Sequence, residues 1–332
     1  IDTMSTKHTP VTDPPPVIEV TQLGKRFGET PAVDGLSFTV ERGSILALLG
    51  PNGAGKTTTI KLITTLLPME EGQASVAGHD VATEPDEVRR RIGLAGQSAA
   101  VDEKLTVRQN LDLFGRLYHL PGPERRARGE ELIDRFGMTE YAGRMAEKLS
   151  GGERRRLDLV AALIADPPAV FLDEPTTGLD PRARLAIWDE VRAMRDTGAA
   201  VVLTTQYLEE ADQLADRILI IDRGSVVASG SADELKSRLQ RDVLEVTVAD
   251  PQRQAMAMAA IGSERAVAVG EGTIHLAVDR VDESLAALRR VGEAGVDLSD
   301  FRLRRPTLDD VFIEITGQPV DVEPQPPQET DA

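Results

Sequence analysis

The chain has 332 residues, 41% of them hydrophobic and 28% charged, which suits one large globular domain and one small one. Its formal net charge of −17 argues against a nucleic-acid-binding surface and against direct docking on anionic lipid. It contains no cysteine, which excludes disulfides and thiolate sites and fits an intracellular location. Because no apolar run approaches the roughly 20 residues that cross a bilayer and no signal-peptide pattern is evident, we expect a soluble subunit.

The first part of the chain predicts a disordered lead followed by an α/β domain. Residues 1–15 are polar and contain three prolines, whereas short apolar runs alternate with helical patterns from residue 16 to about 240. Strands that alternate with helices indicate a mainly parallel sheet. The predicted strands are Ile18–Leu23, Leu36–Val40, Ile45–Leu49, Val170–Leu172, Val201–Leu203, Ile218–Ile221 and Val226–Ala228.

Helical patterns concentrate in the middle of this domain. They cover Leu105–Tyr118, Glu124–Phe136 and Ala183–Met194. The segment from about residue 89 to 148 is almost wholly helical in pattern, which predicts a helical subdomain inserted into the α/β domain. Arginine clusters at 125–128 and at 154–156, the latter on a further helical run, lie beside glutamates, which is typical of solvated helix faces; contact with a partner protein is the alternative.

Residues 241–317 predict a small α+β domain, and residues 318–332, rich in proline and acidic residues, predict a disordered tail. The pattern is close to a β-α-β-β-α-β order with one further helix. The predicted elements are Val243–Val248, Gln252–Ile261, Ala266–Val269, Thr273–Val278, Asp282–Glu293, Leu298–Leu303 and Leu308–Ile315.

A glycine-rich loop after the buried strand Ile45–Leu49 is the strongest chemical signal. It matches the pattern G-x-x-x-x-G-K-[ST], in which glycines let backbone N–H groups surround a polyphosphate at a helix start. In such a loop the lysine reaches the β- and γ-phosphates, and the following hydroxyl binds Mg²⁺. The loop residues are Gly50, Pro51, Asn52, Gly53, Ala54, Gly55, Lys56, Thr57 and Thr58.

A second signal is the pair of carboxylates, Asp173 and Glu174, at the end of an apolar strand. Alone, this pair is equally typical of an ordinary loop. Together with the phosphate loop it predicts that Asp173 holds Mg²⁺ and that Glu174 acts as general base on the attacking water.

Between these two signals lies Leu149-Ser150-Gly151-Gly152-Glu153, followed by a helical run. With these three segments in order, residues 17–239 resemble the nucleotide-binding subunit of ABC transporters. The resemblance implies that Ser150, Gly151 and Gly152 bind the γ-phosphate of ATP held by a second copy. A helix N-cap with Ser150 and Glu153 as a capping box uses the same geometry and is expected as well.

The resemblance assigns three further positions. Phe27 stands where an aromatic ring stacks on adenine, although a core residue at a strand end is the alternative. Gln97 matches the glutamine that contacts Mg²⁺ and water beside the membrane subunit. Asp180 matches the loop that couples the two ATP sites across the dimer.

One position departs from the usual pattern of that family. Gln206, in Leu203–Asp212, stands where a histidine usually contacts the γ-phosphate, and a glutamine amide donates a hydrogen bond but carries no titratable proton. We therefore expect slower hydrolysis with Glu174 as the base. This stretch, and Arg304–Phe312, are similar to the daunorubicin/doxorubicin-resistance group of ABC ATPases, which export hydrophobic drugs or natural products.

The predicted protein is thus a P-loop ATPase of the ABC type that binds ATP and Mg²⁺. The resemblance implies a homodimer and a separate integral-membrane permease, which would hold the chain at the cytoplasmic face of the membrane. Three alternatives to drug export stay open: an exporter ATPase for lipid or polysaccharide, a soluble ABC ATPase acting on DNA or ribosomes, and an ATP-sensing module. The cargo itself is not encoded in these residues.

Overall fold

The computed structural model describes residues 14–97, 100–239 and 241–316. The predicted tail and all but the last two residues of the predicted lead lie outside the described residues. Two compact units emerge: one comprises Thr57–Leu203 with the described residues up to Ile45, and the other comprises Leu46–Lys56 with the described residues from Thr204 onward. No described helix combines the length and the apolar composition that crossing a membrane requires.

The first unit opens with an antiparallel sheet rather than with parallel strands. Its order is β2-β1-β4-β5, with Ile18 paired to both Val40 and Val76. A two-residue connection at Gly28 and Glu29, with Gly28 at φ +61°, forces the first two strands to run antiparallel. The strands are β1 (Ile18–Phe27), β2 (Thr30–Val40), β4 (Glu71–Val76) and β5 (His79–Asp80).

The first unit also contains three strands in the order β8-β7-β6 and most of the helices. β7 is buried along its whole length and pairs in parallel with β6, so the carboxyl ends of both strands point the same way. The strands are β6 (Ile92–Ala95), β7 (Ala169–Asp173) and β8 (Ala200–Thr205), of which the last two residues belong to the second unit. The helices are α1 (Lys56–Ile63), whose first residue belongs to the second unit, α2 (Pro85–Arg90), α3 (Val107–Leu117), α4 (Gly122–Arg135), α5 (Gly151–Ala161) and α6 (Pro181–Asp196).

Strand β6 lies inside the segment that the sequence predicts as helical, so that expectation is wrong at its start. A Cβ at Gly93 would lie 2.2 Å from the backbone oxygen of Ala162, so the strand is pressed against the end of α5. This close approach favours glycine and an extended backbone over a helix. The helical segment begins at Val107 instead.

The second unit begins with three strands in the order β10-β9-β3. β3 pairs in parallel with β9, and β9 turns back into β10 through Arg223 and Gly224, both at positive φ, as a tight hairpin of this kind requires. The strands are β3 (Ile45–Leu49), whose first residue belongs to the first unit, β9 (Arg217–Asp222) and β10 (Ser225–Gly230); the helices are α7 (Leu208–Leu214) and α8 (Ala232–Arg238).

The rest of the second unit confirms the predicted β-α-β-β-α-β order. A sheet of order β12-β13-β11-β14 packs one face on α9 and α10, around a core that includes Leu244, Val246 and Ile274. The elements are β11 (Asp242–Val248), α9 (Gln254–Ile261), β12 (Ala266–Gly270), β13 (Thr273–Val278), α10 (Val281–Glu293), β14 (Leu298–Arg304) and α11 (Leu308–Thr316). The predicted domain boundary at residue 241 stays a prediction.

Buried charges tie α11 to this sheet. Asp310 accepts hydrogen bonds from Arg304 at 2.5 and 3.1 Å, and its carboxylate lies 3.1 Å from Nδ1 of His275. Burial alone would raise the pKa of Asp310, but hydrogen bonds from His275, Arg304 and the Thr307 amide outweigh it and hold that pKa well below its usual range. Because α11 also packs on α7 and α8, these bonds fix its position within the unit.

We expect Asp310→Asn to lower the free energy of unfolding by about 2 to 3 kcal/mol, because Arg304 loses its hydrogen bonds to a buried carboxylate and keeps only Glu245 as a carboxylate partner. Chemical denaturation of the full chain measures this change. Glu314→Ala, on the exposed face of the same helix, is the control and should leave the free energy of unfolding nearly unchanged. The pKa of Asp310 is lowered from 3.8, so the deficit of the variant should shrink as the pH falls below that value. An unchanged deficit at low pH would contradict the charge-based account.

Candidate functional site

The glycine-rich loop in the second unit is wound so tightly that glycine is required at its start. A Cβ at Gly50 would lie 2.2 Å from the backbone oxygen of Ile221, which is a steric overlap. Gly53 and Gly55 adopt φ values of +81° and +104°, which L side chains rarely adopt. The sequence pattern therefore coincides with a backbone that only these residues form without strain.

Lys56 ends this loop with its ammonium group folded back over it. The side chain is 4% exposed, and Nζ donates to the backbone oxygens of Gly50 at 2.8 Å and Pro51 at 3.0 Å. The cation is thus placed inside the loop whose N–H groups surround a phosphate in proteins of this kind. Asn52 and Gly53 at the tip are exposed.

Gln206 lies next to the start of the same loop in the second unit. The amide of Gly50 donates to the backbone oxygen of Thr205 at 3.3 Å, and Gln206 is the following residue, half-buried at the end of β8. The Thr205 hydroxyl accepts from the amide of Tyr207 at 2.9 Å, which fixes the backbone on both sides of Gln206.

In the first unit, all three predicted metal ligands come together. Thr57 Oγ1 donates to Asp173 Oδ1 at 2.9 Å, and Gln97 Nε2 donates to Thr57 Oγ1 at 3.4 Å. Gln97 follows β6, and Asp173 is the last residue of β7. The carboxyl ends of these neighbouring parallel strands share one edge, which brings the two residues close together. A hydroxyl, an amide and one carboxylate suit Mg²⁺ that completes its shell with phosphate and water oxygens. The described residues contain no cluster of three or more His, Asp or Glu ligands.

Glu174 follows directly, with a backbone conformation that is rare for its residue type. Its φ is +49°, and its Oε2 accepts from the Thr177 hydroxyl at 3.3 Å. Such strain persists only where the surroundings impose it, and it turns the side chain away from the path a regular strand would give.

Arg155, which the sequence assigned to a solvated helix face, is what holds this turn. It is 8% exposed, and its guanidinium donates to the backbone oxygens of Pro175 at 2.8 Å and Gly96 at 2.6 Å. It therefore braces the segments after both β7 and β6, and the prediction of a solvated face is wrong for this residue. Arg154 and Arg156, by contrast, form ion pairs with Glu103 and Glu190. The sequence signal that could have identified Arg155 as a buried, paired residue is Asp158, three residues further along the helix, with which it forms an ion pair.

The Ser150–Glu153 capping box is confirmed at the start of α5. Ser150 Oγ accepts from the Glu153 amide at 3.2 Å, and the Ser150 amide donates to Glu153 Oε2 at 2.8 Å. Ser150 and Gly151 are exposed, and a Cβ at Gly151 would meet nothing within 4 Å. This helix start is therefore open to another molecule.

Asp180 and Phe27 lie elsewhere in the first unit. Asp180 caps α6 by accepting a hydrogen bond from the Ala183 amide at 2.8 Å. Gly152 lies close to this helix start, since a Cβ at Gly152 would be 3.3 Å from the Cβ of Ala183. Phe27 is 54% exposed at the end of β1, with Lys25 Nζ 5.7 Å from its ring centroid. The alternative that Phe27 is a core residue is wrong, and its free face suits stacking.

A glycine loop leading into a helix, with a threonine that reaches the acidic end of a buried strand, defines a P-loop ATPase. Comparison with known proteins identifies the family within this class of ATPases. Residues 33–177 match the family model for ABC transporters, and residues 230–316 match that for the carboxy-terminal domain of DrrA1-3-like ATP-binding proteins.

Known relatives align over nearly their whole length. The chain is 48% identical to the daunorubicin resistance ATP-binding protein DrrA3 of Streptomyces coeruleorubidus, covering 90% of this chain and 96% of that one. It is 44% identical to the doxorubicin resistance ATP-binding protein DrrA of Mycobacterium tuberculosis, over 89% and 91% of the two chains. A solved ATP-binding subunit of an ABC transporter superposes with a TM-score of 0.60 at 30% identity, covering 67% of this chain and 92% of that one.

The chain belongs to the ATP-binding subunits of ABC transporters, in the group of the daunorubicin- and doxorubicin-resistance proteins. It binds ATP, and its hydrolysis of ATP is coupled to transport.

We expect Gly50→Ala to weaken ATP binding about tenfold or more, because the added Cβ overlaps the backbone oxygen of Ile221 and displaces the loop. Titration with a fluorescent ATP analogue measures the affinity. Gly143→Ala is the matched control, since Gly143 is exposed with nothing within 4 Å of its Cβ position. Wild-type affinity in Gly50→Ala would contradict the role of the loop.

Proposed function

We propose that this chain uses ATP hydrolysis to power the export of a hydrophobic drug or natural product through a separate membrane subunit. The observation that carries the proposal is the cluster of Thr57, Gln97 and Asp173, which is the arrangement an ATPase needs at its metal. The drug class comes from the relatives, two of which are named for daunorubicin or doxorubicin resistance. The same relatives give less support to lipid or polysaccharide as cargo.

In this proposal the amides of residues 50–56 and the Lys56 ammonium bind the β- and γ-phosphates, with Thr58 in the first turn of α1. Thr57, Gln97 and Asp173 would hold Mg²⁺, which would neutralise phosphate charge. Phe27 stacks its exposed face on adenine. The close contacts among the three Mg²⁺ ligands support this assignment, because an unrelated loop would have no need of them.

Glu174 acts as the general base that orients and polarises the attacking water. Its strained backbone and the support that Arg155 gives to the next residue favour a positioned carboxylate over a solvated one. Gln206 contributes a hydrogen-bond donor to the γ-phosphate but no proton acceptor of physiological pKa. Hydrolysis therefore depends on Glu174 alone for base catalysis.

The ATP-bound state is a homodimer with two composite sites, each made from the glycine loop of one copy and Ser150, Gly151 and Gly152 of the other. The start of α5 supports this, since Ser150 and Gly151 are exposed and leave room for a phosphate that a second copy brings. Asp180, which caps α6, couples the two sites. The dimer would close on ATP and open after hydrolysis. The region near Gln97 would transmit this motion to the membrane subunit.

Attachment through that membrane subunit places the chain at the cytoplasmic face of the membrane. A net charge of −17 disfavours both direct binding to anionic lipid and a role on nucleic acid. The test of the transport role is to look for a membrane protein encoded by a neighbouring gene that co-purifies with this chain. Hydrophobic drugs should then stimulate ATP hydrolysis by the complex; stimulation by lipid or polysaccharide alone would overturn the assignment of the cargo.

Glu174→Gln should lower the ATP hydrolysis rate about 100-fold or more while leaving ATP affinity within about twofold, because a glutamine amide cannot accept the proton of the attacking water. Steady-state phosphate release and equilibrium ATP binding separate the two effects. Glu140→Gln, at an exposed position away from the loop, is the control and should hydrolyse at the wild-type rate. A Glu174→Gln variant with full activity would exclude this residue as the base.

Gln206→His should give the hydrolysis rate a pH dependence that the wild type lacks between pH 5.5 and 8. A histidine there titrates near its ordinary pKa of about 6.5, so the rate of the variant should rise with pH as the imidazole loses its proton. Gln206→Asn, which keeps an amide, is the matched control and should stay flat. An identical inflection in all three proteins would show that another group titrates.

A further inference from the structure

A buried lysine lies against the aromatic ring at the end of β1. Lys25 is only 7% exposed, and its Nζ lies over the ring of Phe27, 5.7 Å from the centroid. The two residues are two positions apart on one strand, so their side chains project from the same face of the sheet. Because Phe27 is 54% exposed, the cation occupies the inner face of the ring and leaves the outer face open.

An acidic partner fixes the position of this ammonium group. Lys25 Nζ donates to Glu70 Oε1 at 2.6 Å and to the backbone oxygen of Pro68 at 3.4 Å. The second carboxylate oxygen of Glu70 accepts from the Arg26 amide at 3.2 Å. These hydrogen bonds, that from Lys25 above all, hold the pKa of Glu70 below its usual range, so the carboxylate is charged at neutral pH. The lysine is therefore tethered beside the ring.

The turn that follows the ring is fixed as well. The guanidinium of Arg26 donates to the backbone oxygen of Glu29 at 2.5 Å, and Gly28 between them adopts φ +61°. Phe27 itself is still paired with Thr30 of β2. The backbone is thus held on both sides of the aromatic residue, which keeps its exposed ring in one place.

The same ion pair connects the ring to the helix that follows the glycine-rich loop. Glu70 lies in the connection from α1 to β4, and in that connection the Leu67 amide donates to the backbone oxygen of Lys61 in α1 at 3.0 Å. Thr57, the proposed Mg²⁺ ligand, lies in the first turn of this helix. The proposed base contact of Phe27 and the proposed metal contact of Thr57 are therefore fixed relative to one element.

The tethered ammonium group changes how this ring interacts with a base. A cation against one face of an aromatic ring attracts the π electrons toward that face, so the opposite face repels the π electrons of a stacked base less. We propose that Lys25 is a specificity-determining residue for the nucleotide, which strengthens the stacking of an electron-rich purine base on the outer face of Phe27. Glu70 is the positioning residue that holds the ammonium group. This inference rests on the proposed stacking of adenine on Phe27.

A purely structural role for the ion pair makes a different demand on the side chain. A tether between β1 and the connection before β4 needs only a hydrogen bond, which an uncharged donor supplies, whereas polarisation of the ring needs the positive charge. The side chain of Glu70 is 49% exposed, so water solvates its carboxylate when the lysine is replaced. Neutral substitutions of Lys25 therefore isolate the effect of the cation on the ring.

Lys25→Met, which keeps the length of the side chain without its charge, should weaken ATP binding about three- to tenfold. Its affinity for inorganic tripolyphosphate, which has no base, should stay within about 1.5-fold of the wild type, because the phosphate contacts are unchanged. Lys25→Gln, which still donates to Glu70, should show the same loss for ATP. Isothermal titration calorimetry with each ligand and Mg²⁺ measures the affinities. Lys61→Met removes an exposed lysine from the same unit and is the charge-matched control, with both affinities unchanged.

A double-mutant cycle with Phe27→Leu separates this inference from the proposed function. If the ammonium group acts through the ring, Lys25→Met should cost no further ATP affinity once the ring is absent. An equal loss for ATP and tripolyphosphate, wild-type ATP affinity in Lys25→Gln, or an undiminished loss in the Phe27→Leu background would overturn the role of Lys25.

Phe27→Leu alone tests the contact on which the inference depends. It should weaken ATP binding and leave tripolyphosphate binding unchanged, and wild-type ATP affinity in this variant would refute the stacking of adenine on the ring itself. Thermal unfolding of each variant checks that the fold is kept, and Lys25→Gln, which retains the tether, keeps the test decisive if Lys25→Met unfolds.

Discussion

A single hydrogen bond, from Thr57 Oγ1 to Asp173 Oδ1 at 2.9 Å, links the first turn of α1 to the end of β7 across 116 residues of sequence. It brings together a hydroxyl and a carboxylate that we propose as Mg²⁺ ligands, and Gln97 joins them because β6 runs parallel beside β7. The catalytic assignment of Glu174 follows from the same point, since it is the next residue along the chain. If the hydroxyl and the carboxylate were apart, the acidic strand end would be an ordinary loop.

Much of this site was predictable because it is encoded in local pattern. The run Ile45–Leu49 is buried along its length, and the glycines after it adopt the positive φ values that the motif implies. The order of the carboxy-terminal elements was equally clear from the sequence. The antiparallel arrangement of β1 and β2 was missed because strand direction depends on the connection at Gly28, and β6 was missed because four residues with a glycine among them give no period.

The role of Arg155 was not predictable, because its partners are remote in sequence. It binds the backbone oxygens of Gly96 and Pro175, which are 59 and 20 residues away, and its neighbours Arg154 and Arg156 disguise it as part of a basic surface. Local sequence thus identifies the groups proposed to contact phosphate and metal, while the residues that position them are set by tertiary packing. The same distinction holds for Asp310 on α11, whose partner His275 lies on strand β13.

The central claim is that each ATP is bound between two copies of the chain, and a mixture of two inactive variants tests it most directly. Lys56→Ala removes the phosphate-binding lysine, and Ser150→Arg blocks the start of α5. If the site is shared between copies, a mixed dimer keeps one intact site, so an equal mixture should regain up to about a quarter of the wild-type ATP hydrolysis. If instead each chain forms its own site, every chain in the mixture carries one broken half of that site, and mixing the two variants will restore no ATP hydrolysis.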